Sequence, residues 1–75
     1  MNARRRKEIM RAVDLIEQAR EILQNAMEEE TEALENLPET FQEGAQGEQM
    51  QEYIEALETA VSELEEAAEV AEICE

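Results

Sequence analysis

The chain has 75 residues with 21 acidic and 6 basic side chains, a formal net charge of −15 at pH 7, and 43% hydrophobic residues with one Phe, one Tyr and no Trp. A chain of this length forms one small domain at most, and a single cysteine without any histidine excludes an internal disulfide, structural zinc and most nucleophilic catalysis. Ala, Leu, Ile, Glu and Gln dominate the composition, so we expect an all-α protein.

The chain begins with a basic segment, MNARRRKEIM, in which Arg4–Lys7 are four consecutive cations. No apolar run follows them, so the segment predicts neither a signal peptide nor a membrane span. We therefore expect a cytoplasmic protein, and a free cysteine suits a reducing compartment. The net charge argues against direct binding of nucleic acid or of an acidic membrane.

The first predicted helix covers roughly residues 3–36. Its apolar stripe recurs in steps of four and three residues, as in the a and d columns of a heptad, and alanines occupy the g column. The a and d columns are Val13, Arg20, Met27 and Leu34, and Ile9, Ile16, Leu23, Glu30 and Leu37; the g column is Ala12, Ala19, Ala26 and Ala33.

A connection over about residues 37–47 contains the single Pro and both Gly residues. Pro38 is expected to end the first helix near Leu37 and to open a short helical turn through Phe41. We expect Leu37 and Phe41 to cover the end of the hairpin. Alternatively, Phe41 anchors a partner.

The second predicted helix covers about residues 48–74 and repeats the stripe. Its a and d columns are Met50, Ile54, Leu57, Val61, Leu64, Ala68 and Ala71, and its g column is Tyr53, Ala60, Ala67 and Cys74. Cys74 is expected to be a small packing residue, with an exposed, oxidisable thiol as the alternative. A face this wide serves more than one neighbour, so we expect one domain, residues 1–75, forming an antiparallel hairpin that dimerises into a four-helix bundle.

Charged residues suggest how these helices are arranged. In an antiparallel hairpin the Arg4–Lys7 cluster would face Glu66, Glu69, Glu72 and Glu75. If two copies of the first helix pack antiparallel with position n facing position 50 − n, Arg20 meets Glu30 of the second copy. We expect this pair to set the register of the dimer, and the alternative is that both side chains reach solvent at the edge of the bundle.

The sequence shows no catalytic, metal or cofactor motif. A di-iron bundle needs Glu-x-x-His motifs, and residues 43–48 lack the oxygen spacing of a calcium loop. We therefore expect a non-enzymatic protein without a cofactor.

The acidic surface of the second helix is the candidate partner-binding site. The helix spans about 40 Å and, together with Glu75 after it, carries ten glutamates. Two copies would approach the charge density of duplex DNA, and the alternative is a solvated coat that keeps the protein soluble. The candidate residues are Glu52, Glu55, Glu58, Glu63, Glu65, Glu66, Glu69 and Glu72.

The connection NLPETFQEGAQGEQM resembles an N-L-P-E-[S/T]-x-Q-x-[G/S]-x-x-G-E-x-M pattern found in small, acidic, all-helical proteins of phages and other mobile elements of Gram-positive bacteria. The match extends from Asn36 to Met50 and includes Pro38, Gly44 and Gly47. The resemblance implies a mobile-element setting, where small acidic proteins often inhibit host nucleases or defence systems by imitating DNA.

Two functions follow as expectations. In the first, the dimer is a DNA-mimic inhibitor of a basic, nucleic-acid-binding host protein. In the second, it is a structural or regulatory assembly module that binds a protein through its apolar face or through Leu37, Pro38 and Phe41, and the acids only solvate it. An assembly chaperone or antitoxin for a basic partner is a third reading.

Overall fold

The structure is a computed structural model that describes residues 1–74. Its helices are α1 (Ala3–Glu35), α2 (Glu39–Gln42), α3 (Ala45–Ala68) and α4 (Val70–Ile73). α1 packs lengthwise against α3 and, at the far end, against α4, and the Cα atoms extend over 58 × 14 × 13 Å. The described chain is thus a long antiparallel helical hairpin, which confirms the all-α prediction.

α1 begins at a side-chain cap and continues because nothing interrupts it. The Arg5 amide donates to Asn2 Oδ1 at 2.9 Å, which satisfies one of the free amides of the first turn. No Gly or Pro lies between Ala3 and Glu35. The helix ends before Pro38, within one residue of the predicted boundary, and the Leu37 amide makes a tighter last turn by donating to the Leu34 carbonyl at 3.1 Å.

The connection folds back through α2. The Pro38 carbonyl accepts hydrogen bonds from the amides of Phe41 (2.9 Å) and Gln42 (3.0 Å), so Pro38 opens the predicted short turn of helix. The Gln42 side chain then reaches back towards the end of α1, and its Nε2 donates to the carbonyl of Leu37, two residues beyond that helix, at 2.7 Å. Gln42 therefore ties α2 to the end of α1.

The prediction that Phe41 covers the end of the hairpin is wrong. Phe41 is 54% exposed, whereas Leu37 is half-buried. Gly47 is buried instead, and a Cβ placed on it would overlap the Gln42 backbone. The end of the hairpin is closed by the backbone of α2 packing on Gly47, and this packing leaves the Phe41 ring in solvent.

The heptad stripe forms the contact between the two long helices. Every predicted a and d position is buried or half-buried. The most buried apolar residues are Val13 (7% exposed), Val61 (7%) and Cys74 (4%). One pair of helices cannot enclose its apolar stripe, because a helix pair forms only one layer. The core of a single hairpin is therefore incomplete.

The open end of the hairpin differs from the expected arrangement of charges. Residues 1–8 are all exposed, and Val13 is the first buried residue of α1. Within residues 1–74 the structure contains no ion pair between the Arg4–Lys7 cluster and Glu66, Glu69 or Glu72, and Glu75 lies outside the described residues. Ile9 is the first half-buried residue of α1, and the Arg4–Lys7 side chains that precede it lie in solvent.

Cys74 packs inward, as predicted. α3 ends at Ala68, and the amides of Glu69 and Cys74 donate to carbonyls three residues earlier, Glu66 and Ala71, at 3.1 and 3.2 Å. This tighter winding accompanies the burial of Cys74, although Ala67, one heptad earlier on the same column, is exposed. Among residues 1–74, no helix combines the length and the apolar character needed to cross a bilayer.

Candidate interaction faces

The hairpin has two broad faces of opposite character. In an antiparallel pair of helices, the e columns of both helices flank one side of the contact and the g columns flank the other. The residues of the e and b columns form what we call the acidic face. The residues of the g and c columns form what we call the apolar face.

The acidic face receives carboxylates from both long helices. All of them are exposed. On α1 these carboxylates are Asp14, Glu17, Glu21, Glu28 and Glu35. From α3 to α4 they are Glu48, Glu55, Glu58, Glu65, Glu69 and Glu72, of which Glu69 lies between the two helices.

The eight predicted partner-binding glutamates are all exposed, but they do not all lie on the same face of the hairpin. Glu55, Glu58, Glu65, Glu69 and Glu72 belong to the acidic face. By the same periodicity, Glu52 and Glu66 lie on the f column, at the back of the second helix, and Glu63 lies on the c column, within the apolar face.

The sequence interpretation missed the acids of α1. Asp14, Glu21, Glu28 and Glu35 recur every seven residues on the b column. This spacing was visible in the sequence, but only the pairing of the e columns in the folded hairpin places α1 acids beside those of α3.

Charge is distributed very unevenly along the hairpin. Residues 1–20 contain all six bases and three acids, residues 21–66 contain fifteen acids and no base, and residues 67–75 contain three acids. The open half is therefore formally neutral, and the half that includes the connection carries the whole net charge. Residues 45–66 span about 33 Å, so this half carries about one charge per 2 Å, close to about 1.7 Å for duplex DNA.

Arg20 finds its partners within α1. Its Nε contacts Glu17 Oε2 at 3.2 Å, and its Nη1 donates to Gln24 Oε1 at 2.9 Å. Arg20 and Glu30 are both half-buried along the contact with α3. The pairing of Arg20 with Glu30 of a second copy stays a prediction.

The apolar face exposes large side chains between small ones. Leu15 is 57% exposed, Ile22 67%, Tyr53 53% and Val70 36%. Alanines fill most of the remaining positions of these columns, namely Ala12, Ala19, Ala26, Ala33, Ala56, Ala60 and Ala67. The apolar surface is continuous around Leu15 and Ile22, and Glu29, Gln49 and Glu63 interrupt the c column elsewhere. An exposed apolar patch of this kind indicates a contact surface.

Within residues 1–74, no group of three or more His, Cys, Asp or Glu side chains is arranged to hold a metal ion. A shallow depression near the start of α1 is lined by that helix alone, through Ala3, Arg6, Lys7, Met10, Arg11 and Asp14. A groove along a single helix does not enclose a substrate.

Comparison of the chain with protein-family models, with curated proteins and with solved structures finds no match in any of the three. The resemblance of residues 36–50 to mobile-element proteins therefore stays a prediction from the sequence.

Proposed function

We propose that the protein is a non-enzymatic interaction protein whose acidic face occupies the nucleic-acid-binding surface of a basic partner. The proposal includes the setting that the connection suggests, the cytoplasm of a bacterial host, with a DNA-handling or defence protein as the target of a phage or mobile element. It is supported chiefly by the charge of residues 21–66, which hold fifteen acids and no base, with seven of those acids on the acidic face.

The geometry of the acidic face fits this role. Its e-column glutamates, Glu58, Glu65 and Glu72, recur every seven residues, or about 10.5 Å along the helix. Neighbouring glutamates on the surface of α3 repel each other, and this repulsion destabilises the helix slightly. A rigid row of charges held on two helices presents them to a partner without the entropy loss of ordering a flexible acidic tail.

The test is a capture experiment with two matched variants. Tagged protein is mixed with lysate of a Gram-positive bacterium, and bound proteins are identified by mass spectrometry after elution with rising salt or with duplex DNA. We expect a DNA-binding protein that duplex DNA displaces. We also expect loss of that protein with the Glu55→Gln, Glu58→Gln, Glu65→Gln variant.

The control variant carries the same change in charge away from the acidic face, Glu52→Gln, Glu63→Gln and Glu66→Gln. It should retain most of the binding. Equal loss with both variants would point to total charge, without a role for the acidic face. A partner that ignores both salt and DNA would contradict the proposal.

The alternative function, an assembly module, is favoured by one observation, the 54% exposure of Phe41 in the connection. An exposed aromatic ring on a turn can anchor a partner. Under this alternative, Phe41→Ala abolishes capture while the glutamine variants leave it intact.

A further inference from the structure

The apolar face of α1 presents a surface of alternating large and small side chains. Leu15 and Ile22 lie one heptad apart on the c column and are 57% and 67% exposed. Ala12, Ala19 and Ala26 lie between and beside them on the g column. Large side chains next to alanines form the knobs and holes with which helices pack closely.

A single hairpin leaves its core open on this side. Most a and d residues are only half-buried, and the hairpin is one layer of helices. A second layer over the apolar face would cover Leu15 and Ile22 and complete the burial of the a and d residues next to them.

Charge along α1 indicates which occupant fits. The first part of the helix holds all six bases of the chain, and residues 21–35 hold six acids and no base. An antiparallel second α1 would place its acidic half beside the basic half of the first. The antiparallel arrangement also lays the formally neutral half of each hairpin over the half that carries the net charge, whereas a parallel arrangement would put the two charged halves together.

We propose that the apolar face of α1 binds α1 of a second copy of this chain, antiparallel, about a two-fold axis near Ala19. In this register position n faces 38 − n, so Ala12 faces Ala26 of the second copy, and Leu15 lies within one residue of the level of its Ile22. Arg6 comes level with Glu32 of the second copy. The surface is self-complementary, as a two-fold interface requires.

This interface differs from the dimer expected from the sequence. The register in which n faces 50 − n uses the a and d columns of α1, and the structure packs those columns against α3 and α4 of the same chain. The new register uses the columns that the hairpin leaves exposed. It does not depend on the acidic face having a partner.

The first test is the mass of the protein in solution by sedimentation velocity over a range of concentrations. The chain has a mass of 8.6 kDa, so the wild type should sediment as a dimer of twice that mass. Burying two glutamates per chain opposes association, so Leu15→Glu with Ile22→Glu should raise the dimer dissociation constant at least ~100-fold.

The control for this test is Ile73→Glu, which places a charge on a side chain that is 77% exposed and outside the apolar face. It should leave the dimer intact. Because Leu15 and Ile22 are exposed, the double variant should keep its helical circular dichroism. A monomeric wild type, or a double variant that still dimerises, would overturn the proposal.

The second test locates the axis and needs no disruptive change. In a Cys74→Ser background, a cysteine at Ala19 lies next to its copy and should form an intermolecular disulfide. A cysteine at Ala26, on the same column, lies about 21 Å from its copy in this register and should not. Cross-linking through Ala26→Cys alone would overturn the register in favour of n facing 50 − n, and cross-linking through both would indicate a parallel pair and also overturn it.

Discussion

Gly47 in the first turn of α3 lies directly against Gln42, the last residue of α2, so that a Cβ on Gly47 would come within 2.7 Å of the Gln42 Cα. Atoms of a side chain do not fit at that distance. The contact sets the position of α2, and with it the direction in which Phe41 points. A glycine inside a helix usually costs stability, so its presence here follows from close packing.

We predict that Gly47→Ala lowers the free energy of unfolding by about 1–3 kcal/mol, because the backbone of α2 must move away. Urea denaturation followed by circular dichroism measures the change. Helix propensity alone predicts the opposite, a gain of about 1 kcal/mol. A stabilised variant would thus contradict the close contact.

The matched control is Gly44→Ala. A Cβ at Gly44 would meet the Thr40 and Phe41 carbonyl oxygens at 3.5 and 3.7 Å, which are ordinary contacts. Gly44 begins α3 as its N-cap, where alanine is less favourable than glycine. We expect a loss below about 1 kcal/mol, clearly smaller than that of Gly47→Ala.

Gln42 gives a second prediction about the connection. Its Nε2 donates to the Leu37 carbonyl at 2.7 Å and, at 3.4 Å, to the Glu35 carbonyl. An ionised glutamate cannot donate, and it would repel both oxygens. Gln42→Glu should therefore cost about 1–2 kcal/mol of unfolding free energy, measured by the same denaturation.

The control for this prediction is Gln49→Glu, which adds the same charge at an exposed position of α3. It should change the stability by no more than about 0.5 kcal/mol. Equal losses from both variants would mean that added negative charge, and not the lost hydrogen bonds, is responsible.

Arg20 and Glu30 can be tested by a double-mutant cycle. Arg20 is bound to Glu17 and Gln24 of its own helix, and its side chain is 29% exposed. Partly exposed pairs of this kind contribute about 0–1 kcal/mol. We expect Arg20→Leu to maintain or raise the melting temperature, and Arg20→Leu and Glu30→Leu to be additive within about 0.5 kcal/mol.

A larger coupling between the two substitutions would revive the pair between copies that the sequence suggested. The cycle should be measured at a protein concentration at which sedimentation shows one species, because the melting temperature of a dimer depends on concentration.

The thiol of Cys74 should be protected in the folded protein. Cys74 is 4% exposed and contributes to the core. We expect it to react with a thiol reagent at least ~10-fold more slowly than the cysteine of a Cys74→Ser, Ile73→Cys variant, since reagents reach a buried thiol only after local opening. Equal rates would show that the end of the second helix opens freely.

The candidate site could be read from the sequence only in part. The excess of acids and their exposure on the second helix were predictable, because a glutamate outside the a, d and g columns has nowhere to be buried. The contribution of Glu21 and Glu28 was missed. Whether these two residues join the acidic face depends on which side of α1 lies beside the e column of α3. That arrangement is fixed only when the two helices pack together.

The helices follow from local features of the sequence. The heptad stripe, Pro38 and the two glycines predicted helices over 3–36 and 48–74, against Ala3–Glu35, Ala45–Ala68 and Val70–Ile73, because periodicity and backbone breaks are local properties of the chain. The packing of the helices determines that Phe41 is exposed, that the Gln42 amide donates back to the Leu37 carbonyl and that Arg4–Lys7 are exposed and form no ion pair with Glu66, Glu69 or Glu72. These features depend on how far one helix is displaced along the other. That displacement is set by the packing of α2 against Gly47 and by the burial of Val13 and Cys74, and heptad periodicity alone is equally compatible with shifts of a whole repeat.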